Sequence, residues 1–194
     1  MVKAVSARLG RWTLLLALLA FASDVFAHRD DQYLQATLVA IEPSGVRLQI
    51  NLTPGVAVAE QVLAEIDRDR DDAISKNEAA AYAELLKRDL TLRVDRQRLE
   101  LKLTASEFVP PAELRTGSGT IQMEFSAISG PLAAGAHRLT LENRHLTPMS
   151  VYLINAARPR SATVQITRQK RNANQSAGEI EFTFRGSALS GEHR

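Results

Sequence analysis

The residues best suited to chemistry lie in one short acidic segment, residues 67–78, which reads DRDRDDAISKNE. Carboxylates occupy its first, third and fifth positions as Asp67, Asp69 and Asp71. Calcium prefers six to eight oxygen ligands, and a twelve-residue loop can supply them from positions 1, 3, 5, 7, 9 and 12. Like charges this close repel one another unless a cation lies between them. The spacing therefore predicts a cation site.

Three further residues complete the predicted ligand set. Ala73 would offer its backbone carbonyl, Ser75 its hydroxyl directly or through a water, and Glu78 two carboxylate oxygens. Ser75 and Glu78 also have the spacing of a capping box at the start of a helix, which is compatible with ion binding. Capping alone does not account for the alternating acids. The full set predicted for Ca²⁺ is Asp67, Asp69, Asp71, Ala73, Ser75 and Glu78.

This segment resembles the EF-hand calcium loop, and Ile74 stands where that family has a packed apolar residue. It departs from the family at Asp72, where the family expects Gly because the chain turns there with positive φ. Asp tolerates such a turn at a cost of about 1 to 2 kcal/mol. The resemblance therefore implies a weak site, with a dissociation constant of about 10⁻⁴ to 10⁻³ M. Since sensor EF-hands generally act in pairs and this loop is single, it also implies a structural ion.

Helical periodicity flanks the acidic loop on both sides. Val58, Val62 and Ile66 recur every four residues before it, and Tyr82 and Leu86 have helical spacing after it. Such spacing places the apolar residues on one face of each helix. The pattern predicts a helix-loop-helix insertion over residues 56–88.

Alternation of apolar and polar residues, typical of half-buried strands, covers most of the remaining chain. It is present at residues 33–41, 46–52, 90–94, 99–103, 121–125, 139–141, 151–154, 164–166 and 180–184. The pattern predicts a mainly β fold, a β-sandwich with the helix-loop-helix inserted between the second and third strands, and a partly open barrel is the alternative. We expect a single β-rich domain over residues 28–186, a long surface connection at 104–120 and a flexible tail at 187–194.

The first 27 residues have the order of parts found in a signal peptide. Basic residues come first, an apolar run follows at 12–22, and small residues at Val25 and Ala27 suit cleavage after Ala27. Residues 20–22 offer a second cleavage site, and a membrane anchor is the competing interpretation. The apolar run is shorter than the roughly 20 residues that span a bilayer. We therefore expect a periplasmic or secreted protein without a transmembrane segment in the mature chain.

Charge and cysteine content narrow the classes of partner. The chain has 24 Lys and Arg against 22 Asp and Glu, and the leader contains Lys3, Arg8, Arg11 and Asp24, so the remainder is formally neutral. A neutral chain lacks the positive charge that drives nucleic-acid binding. The absence of cysteine excludes disulfides and thiolate metal sites.

Two alternatives to a calcium module stay open. The first is a transition-metal binding protein, in which a terminal His28 could chelate copper or nickel with His137 or His145 as a second imidazole. The second is a protein-interaction domain with a vestigial loop.

A wider resemblance concerns the layout of the first half of the chain. From residue 28 to about 103 this layout is similar to the extracytoplasmic amino-terminal domain of some bacterial nickel and cobalt transporters. The resemblance implies a stand-alone relative of that domain and not transport itself.

The sequence gathers no nucleophile-elbow or similar catalytic motif. It therefore predicts a non-enzymatic binding or accessory protein. Its expected partners are a calcium ion and another periplasmic or membrane protein.

Overall fold

The structure, a computed structural model, describes residues 31–186. The predicted leader, His28 and the predicted tail at 187–194 lie outside the described residues. Within residues 31–186 the strands are β1 Tyr33–Glu42, β2 Gly45–Pro54, β3 Leu90–Val94, β4 Gln97–Leu99, β5 Lys102–Glu107, β6 Ile121–Ile128, β7 Gly135–Asn143, β8 Ser150–Ala156, β9 Val164–Arg171 and β10 Ala177–Phe184. The α-helices are α1 Ala59–Ile66, α2 Lys76–Asp89 and α3 Pro111–Arg115. A short 3₁₀ helix covers Thr147–Met149.

The strands form two five-stranded sheets that pack together, with the helix-loop-helix of α1 and α2 inserted between β2 and β3. The first sheet has the order β5-β6-β2-β1-β8, and the second has the order β4-β3-β7-β10-β9. Neighbouring strands are antiparallel except for β1 and β8, which are parallel. The predicted mainly β, sandwich-like architecture is confirmed at this level.

The alternation in the sequence corresponds to the two faces of each strand. In β2, Leu48, Ile50 and Leu52 are fully buried, whereas the polar residues between them face outward. Side chains on a strand point to opposite faces in turn, so a period of two buries one face only. The inward faces of both sheets join one core with the apolar residues of α1 and α2.

The segment from residue 99 to 120 differs from its prediction. The expected strand at 99–103 is divided, because β4 ends in the second sheet and β5 pairs with β6 in the first. Residues 100 and 101 connect the two sheets. Leu101 is only 6% exposed, so it anchors this connection in the core. The expected surface connection at 104–120 instead contains most of β5 and the helix α3, whose Leu114 is fully buried.

Helices α1 and α2 close the core next to the acidic loop. Val62 and Ile66 of α1 and Tyr82 and Leu86 of α2 are all at most 1% exposed. Their burial follows from the helical spacing of the apolar residues, which places them on the side facing the sheets. Among the helices of residues 31–186, none is long and apolar enough to span a membrane.

Candidate metal centre

The acidic loop is held at both ends by the helices it connects. Asp67 ends α1, and its amide donates to the Leu63 carbonyl at 2.8 Å. At the other end Ser75 caps α2 in the predicted capping box. The Ser75 amide donates to Glu78 Oε2 at 3.0 Å, and the Glu78 amide donates to Ser75 Oγ at 3.3 Å. These bonds satisfy helix-terminal amides and fix where the loop begins and ends.

Asp67, Asp69 and Asp71 come together as one group, with carboxylate oxygens within 4.8 Å of one another. Calcium binds oxygen at about 2.3 to 2.6 Å, so two ligands on opposite sides of the ion stand about 4.6 to 5.2 Å apart. Oxygens at the observed separations can therefore contact one ion together. Asp67 is only 7% exposed, whereas Asp69 and Asp71 face solvent. This cluster could bind a metal ion.

Backbone amides of the loop orient these three carboxylates. Asp67 accepts from the amides of Asp71 at 3.2 Å and Asp72 at 3.1 Å. Asp71 accepts from the Ala73 amide at 2.9 Å. The turn that aims these amides inward needs positive φ at Arg70 (60°) and at Asp72 (65°). The positive φ expected at Asp72 is therefore present, whereas nothing in the sequence indicated the one at Arg70.

Glu78 is not part of the group of three carboxylates. Glu78 Oε1 accepts from the Arg68 amide at 2.7 Å, and Glu78 Oε2 accepts from the Ser75 hydroxyl at 2.8 Å. The Glu78 carboxylate thus ties the first loop residues to the start of α2. Ala73 is held beside the cluster by a hydrogen bond from its backbone amide to the Asp71 carboxylate. The structure therefore groups three of the six predicted ligands; Ala73 is hydrogen-bonded to this group, and Ser75 and Glu78 are hydrogen-bonded to each other.

The proton affinities of two loop carboxylates reflect this arrangement. Desolvation, followed by the negative charges of Asp71, Glu78 and Asp67, raises the pKa of Asp69 above its usual value, against the hydrogen bond from the Asp71 amide. Hydrogen bonds from the Ser75 amide and hydroxyl lower the pKa of Glu78. The part of this rise that comes from the neighbouring carboxylates is charge repulsion, which a bound cation would relieve.

Arg115 of α3 provides a counter-charge at the edge of the loop. Its guanidinium contacts Asp72 Oδ1 at 2.5 Å and Glu60 Oε1 of α1 at 2.7 Å. Hydrogen bonds to these two carboxylates raise the pKa of Arg115. Arg115 neutralises Asp72 and leaves Asp67, Asp69 and Asp71 without a side-chain ion pair among residues 31–186.

The two histidines considered as partners for His28 already have hydrogen-bond partners on both ring nitrogens. His137 contacts Asp95 Oδ2 at 2.6 Å and the Ala133 carbonyl at 2.7 Å. His145 contacts Asp89 Oδ2 at 2.8 Å and the Tyr82 hydroxyl at 3.0 Å. A metal ligand needs a free nitrogen lone pair, so neither ring is available in this arrangement.

Sequence reasoning missed the polar network around His145, which is fully buried. The Tyr82 hydroxyl lies 2.7 Å from the Tyr33 hydroxyl, and Gln35 donates to the His145 carbonyl at 2.9 Å. Asn143 in turn donates to Gln35 Oε1 at 2.8 Å. The one available signal was a set of polar residues at inward positions of otherwise apolar strands, such as Gln35 in β1.

Comparison of the chain with protein-family models, curated proteins and solved structures finds no match. The resemblance to calcium loops therefore depends on the residues and geometry of the loop itself.

Proposed function

We propose that this protein is an exported, non-enzymatic binding or accessory module whose helix-loop-helix is ordered by one calcium ion. The observation that supports it best is the convergence of Asp67, Asp69 and Asp71 without a neutralising side chain among the described residues. Carboxylate oxygens are hard ligands. Calcium, a hard cation, prefers such ligands, whereas softer metals prefer nitrogen or sulfur ligands.

The surroundings of the cluster supply the other properties of a calcium loop. Glu78 stands in the first turn of the exit helix, close enough to contribute to the repulsion felt by Asp69. Ile74 packs against the apolar core behind the loop. With the ion bound, the repulsion between the carboxylates would become attraction to a shared cation, and the loop would be stabilised.

A titration of the purified protein with calcium tests this proposal. We expect binding with a dissociation constant of about 10⁻⁴ to 10⁻³ M. At 10 mM calcium, mass action then adds about 1.4 to 2.7 kcal/mol to the free energy of unfolding. Asp67→Asn should abolish both effects, since it removes the charge of the buried carboxylate.

Glu84→Gln is the matched control, because Glu84 is an exposed acid on α2 that pairs with Lys87 and lies away from the cluster. It should bind calcium as the wild type does. If the folded wild-type protein gives neither binding heat nor thermal protection at millimolar calcium, the proposal is wrong.

Export is the second part of the proposal, and it is supported by the order of basic, apolar and small residues in the leader. Fractionation of expressing bacteria, with amino-terminal sequencing of the product, tests it. We expect a periplasmic or secreted protein that begins at His28. A product retained in the cytoplasm with its leader intact would contradict export.

A further inference from the structure

Helix α2 carries both a residue of the acidic loop and the two side chains that hold a buried histidine. Glu78 lies in its first turn, Tyr82 follows four residues later, and Asp89 is its last residue. Residues four apart lie on the same face of a helix, and Glu78 and Tyr82 are indeed both buried. His145 contacts Tyr82 at 3.0 Å and Asp89 at 2.8 Å. His145 therefore holds α2 at its middle and at its end.

The chemistry of the partners assigns the protons in this network. An ionised Asp89 carboxylate can only accept, so His145 Nδ1 carries a proton and donates to it. His145 Nε2 then accepts from the Tyr82 hydroxyl, and the Tyr82 oxygen accepts from the Tyr33 hydroxyl at 2.7 Å. When the His145 imidazole is neutral, every donor in this series of hydrogen bonds has an acceptor.

Adding a proton to His145 breaks the chain of hydrogen bonds. Nε2 would become a donor, Tyr82 would have to turn its proton toward Tyr33, and the Tyr33 proton would lose its acceptor. Tyr33 is fully buried, so water cannot replace that acceptor. A buried donor without a partner is costly, and the contacts that hold α2 would weaken.

The other groups that face the ring do not offset this effect. Asp89 and Tyr82 come from α2, Tyr33 from β1, and Glu65 acts from α1 through its charge. From β8, the Tyr152 hydroxyl donates to the His145 carbonyl at 2.9 Å and so fixes its backbone. Desolvation lowers the pKa of His145, and the hydrogen bond and charge of Asp89 oppose this only in part.

We infer that neutral His145 is a positioning residue for the calcium site, and that acidification weakens calcium binding by releasing α2 and with it Glu78. This inference depends on the calcium function proposed above. Coupling between two sites is reciprocal, so calcium binding must also disfavour protonation of His145.

The direct test is a titration of the His145 ring in the wild-type protein by NMR, with and without calcium. We expect the neutral ring to carry its proton on Nδ1, and its pKa to be lower with calcium than without it. A His145 pKa that calcium does not change would overturn this inference, even if calcium binds.

The second test compares calcium affinity at pH 7.5 and pH 5.0. Protonation of loop carboxylates lowers the calcium affinity of every variant. The quantity of interest is therefore the loss of calcium affinity in the wild type beyond the loss in the variant without His145. We expect the wild type to lose about fivefold more affinity than His145→Asn, which retains a donor toward Asp89 and gains no proton. Tyr82→Phe is the substitute variant if His145→Asn does not fold. It should bind calcium more weakly than the wild type already at pH 7.5.

His137→Asn is the control for a histidine that does not contact α2, and it should lose affinity as the wild type does. Equal losses in the wild type and in His145→Asn would contradict the inference while leaving calcium binding intact. Absence of calcium binding at both pH values would instead overturn the proposed function, and this inference with it.

Discussion

The guanidinium of Arg115 lies 2.5 Å from the carboxylate of Asp72, across 43 residues of sequence. The same guanidinium contacts Glu60, so it joins the acidic loop to the helix that precedes it. Asp72 occupies the position where the EF-hand loops that this segment resembles have glycine. The ion pair directs the Asp72 carboxylate toward α3 and neutralises its charge, which accounts for an additional acid next to the cluster.

The backbone at Asp72 leads to the first prediction. With φ of 65°, a residue with a Cβ is strained unless it tolerates the left-handed region. Asp72→Ala should therefore be less stable than Asp72→Gly by about 1 kcal/mol, because both lose the ion pair and only glycine relaxes the turn. Urea denaturation of both variants in chelator measures this difference. Equal stabilities would show that the turn is not strained.

The second prediction concerns the capping box at the start of α2. Ser75→Ala removes the hydroxyl that accepts from the Glu78 amide, and it should lower the free energy of unfolding by about 1 kcal/mol. Ser106→Ala on the exposed strand β5 is the matched control and should change little. Thermal unfolding compares the stabilities of the two variants. Similar unfolding temperatures would argue against a stabilising cap.

The third prediction concerns the helix α3, which sequence analysis did not anticipate. Leu114 is fully buried, so Leu114→Ala leaves a cavity and should cost about 2 to 5 kcal/mol. Ile128→Ala is the control, because Ile128 is 82% exposed, and it should change stability by about 0.5 kcal/mol or less. Chemical denaturation compares them. A Leu114→Ala variant as stable as the control would exclude α3 from the core.

The fourth prediction is a pH dependence at His137. Both partners of its ring, Asp95 and the Ala133 carbonyl, can only accept, so the protonated ring satisfies both. Desolvation opposes this charge, but the hydrogen bonds to Asp95 and Ala133 outweigh it and raise the pKa of His137 above its usual value of 6.5.

A raised pKa in the folded state means that the folded state holds the proton more tightly. The contribution of His137 to stability is therefore complete below pH 6.5, and it is lost as the pH rises through the higher native pKa. We expect the stability advantage of the wild type over His137→Asn to shrink as the pH is raised in that window. Urea denaturation over a pH series measures it, and an advantage that grows with pH would contradict the assignment.

Much of the fold could be predicted because its signals are short-range. The alternation in β1 and β2 and the helical spacing in α2 predict which face of each element is buried. The capping box of Ser75 and Glu78 is likewise local, since its members are three residues apart. The division of the 99–103 strand could not be predicted, because Leu99 and Leu101 are apolar and buried whether the chain stays in one sheet or crosses to the other.

The sequence by itself determined most of the strands, the helices α1 and α2, the mainly β architecture and the acidic spacing of the loop, since these depend on residues only a few positions apart. Only the tertiary structure decided the pairing of Arg115 with Asp72 and of His145 with Tyr82, which are 43 and 63 residues apart in the chain. Such contacts depend on how the two sheets stack and where α2 lies on them. Local periodicity does not encode that arrangement, because the same buried faces can be stacked in more than one way.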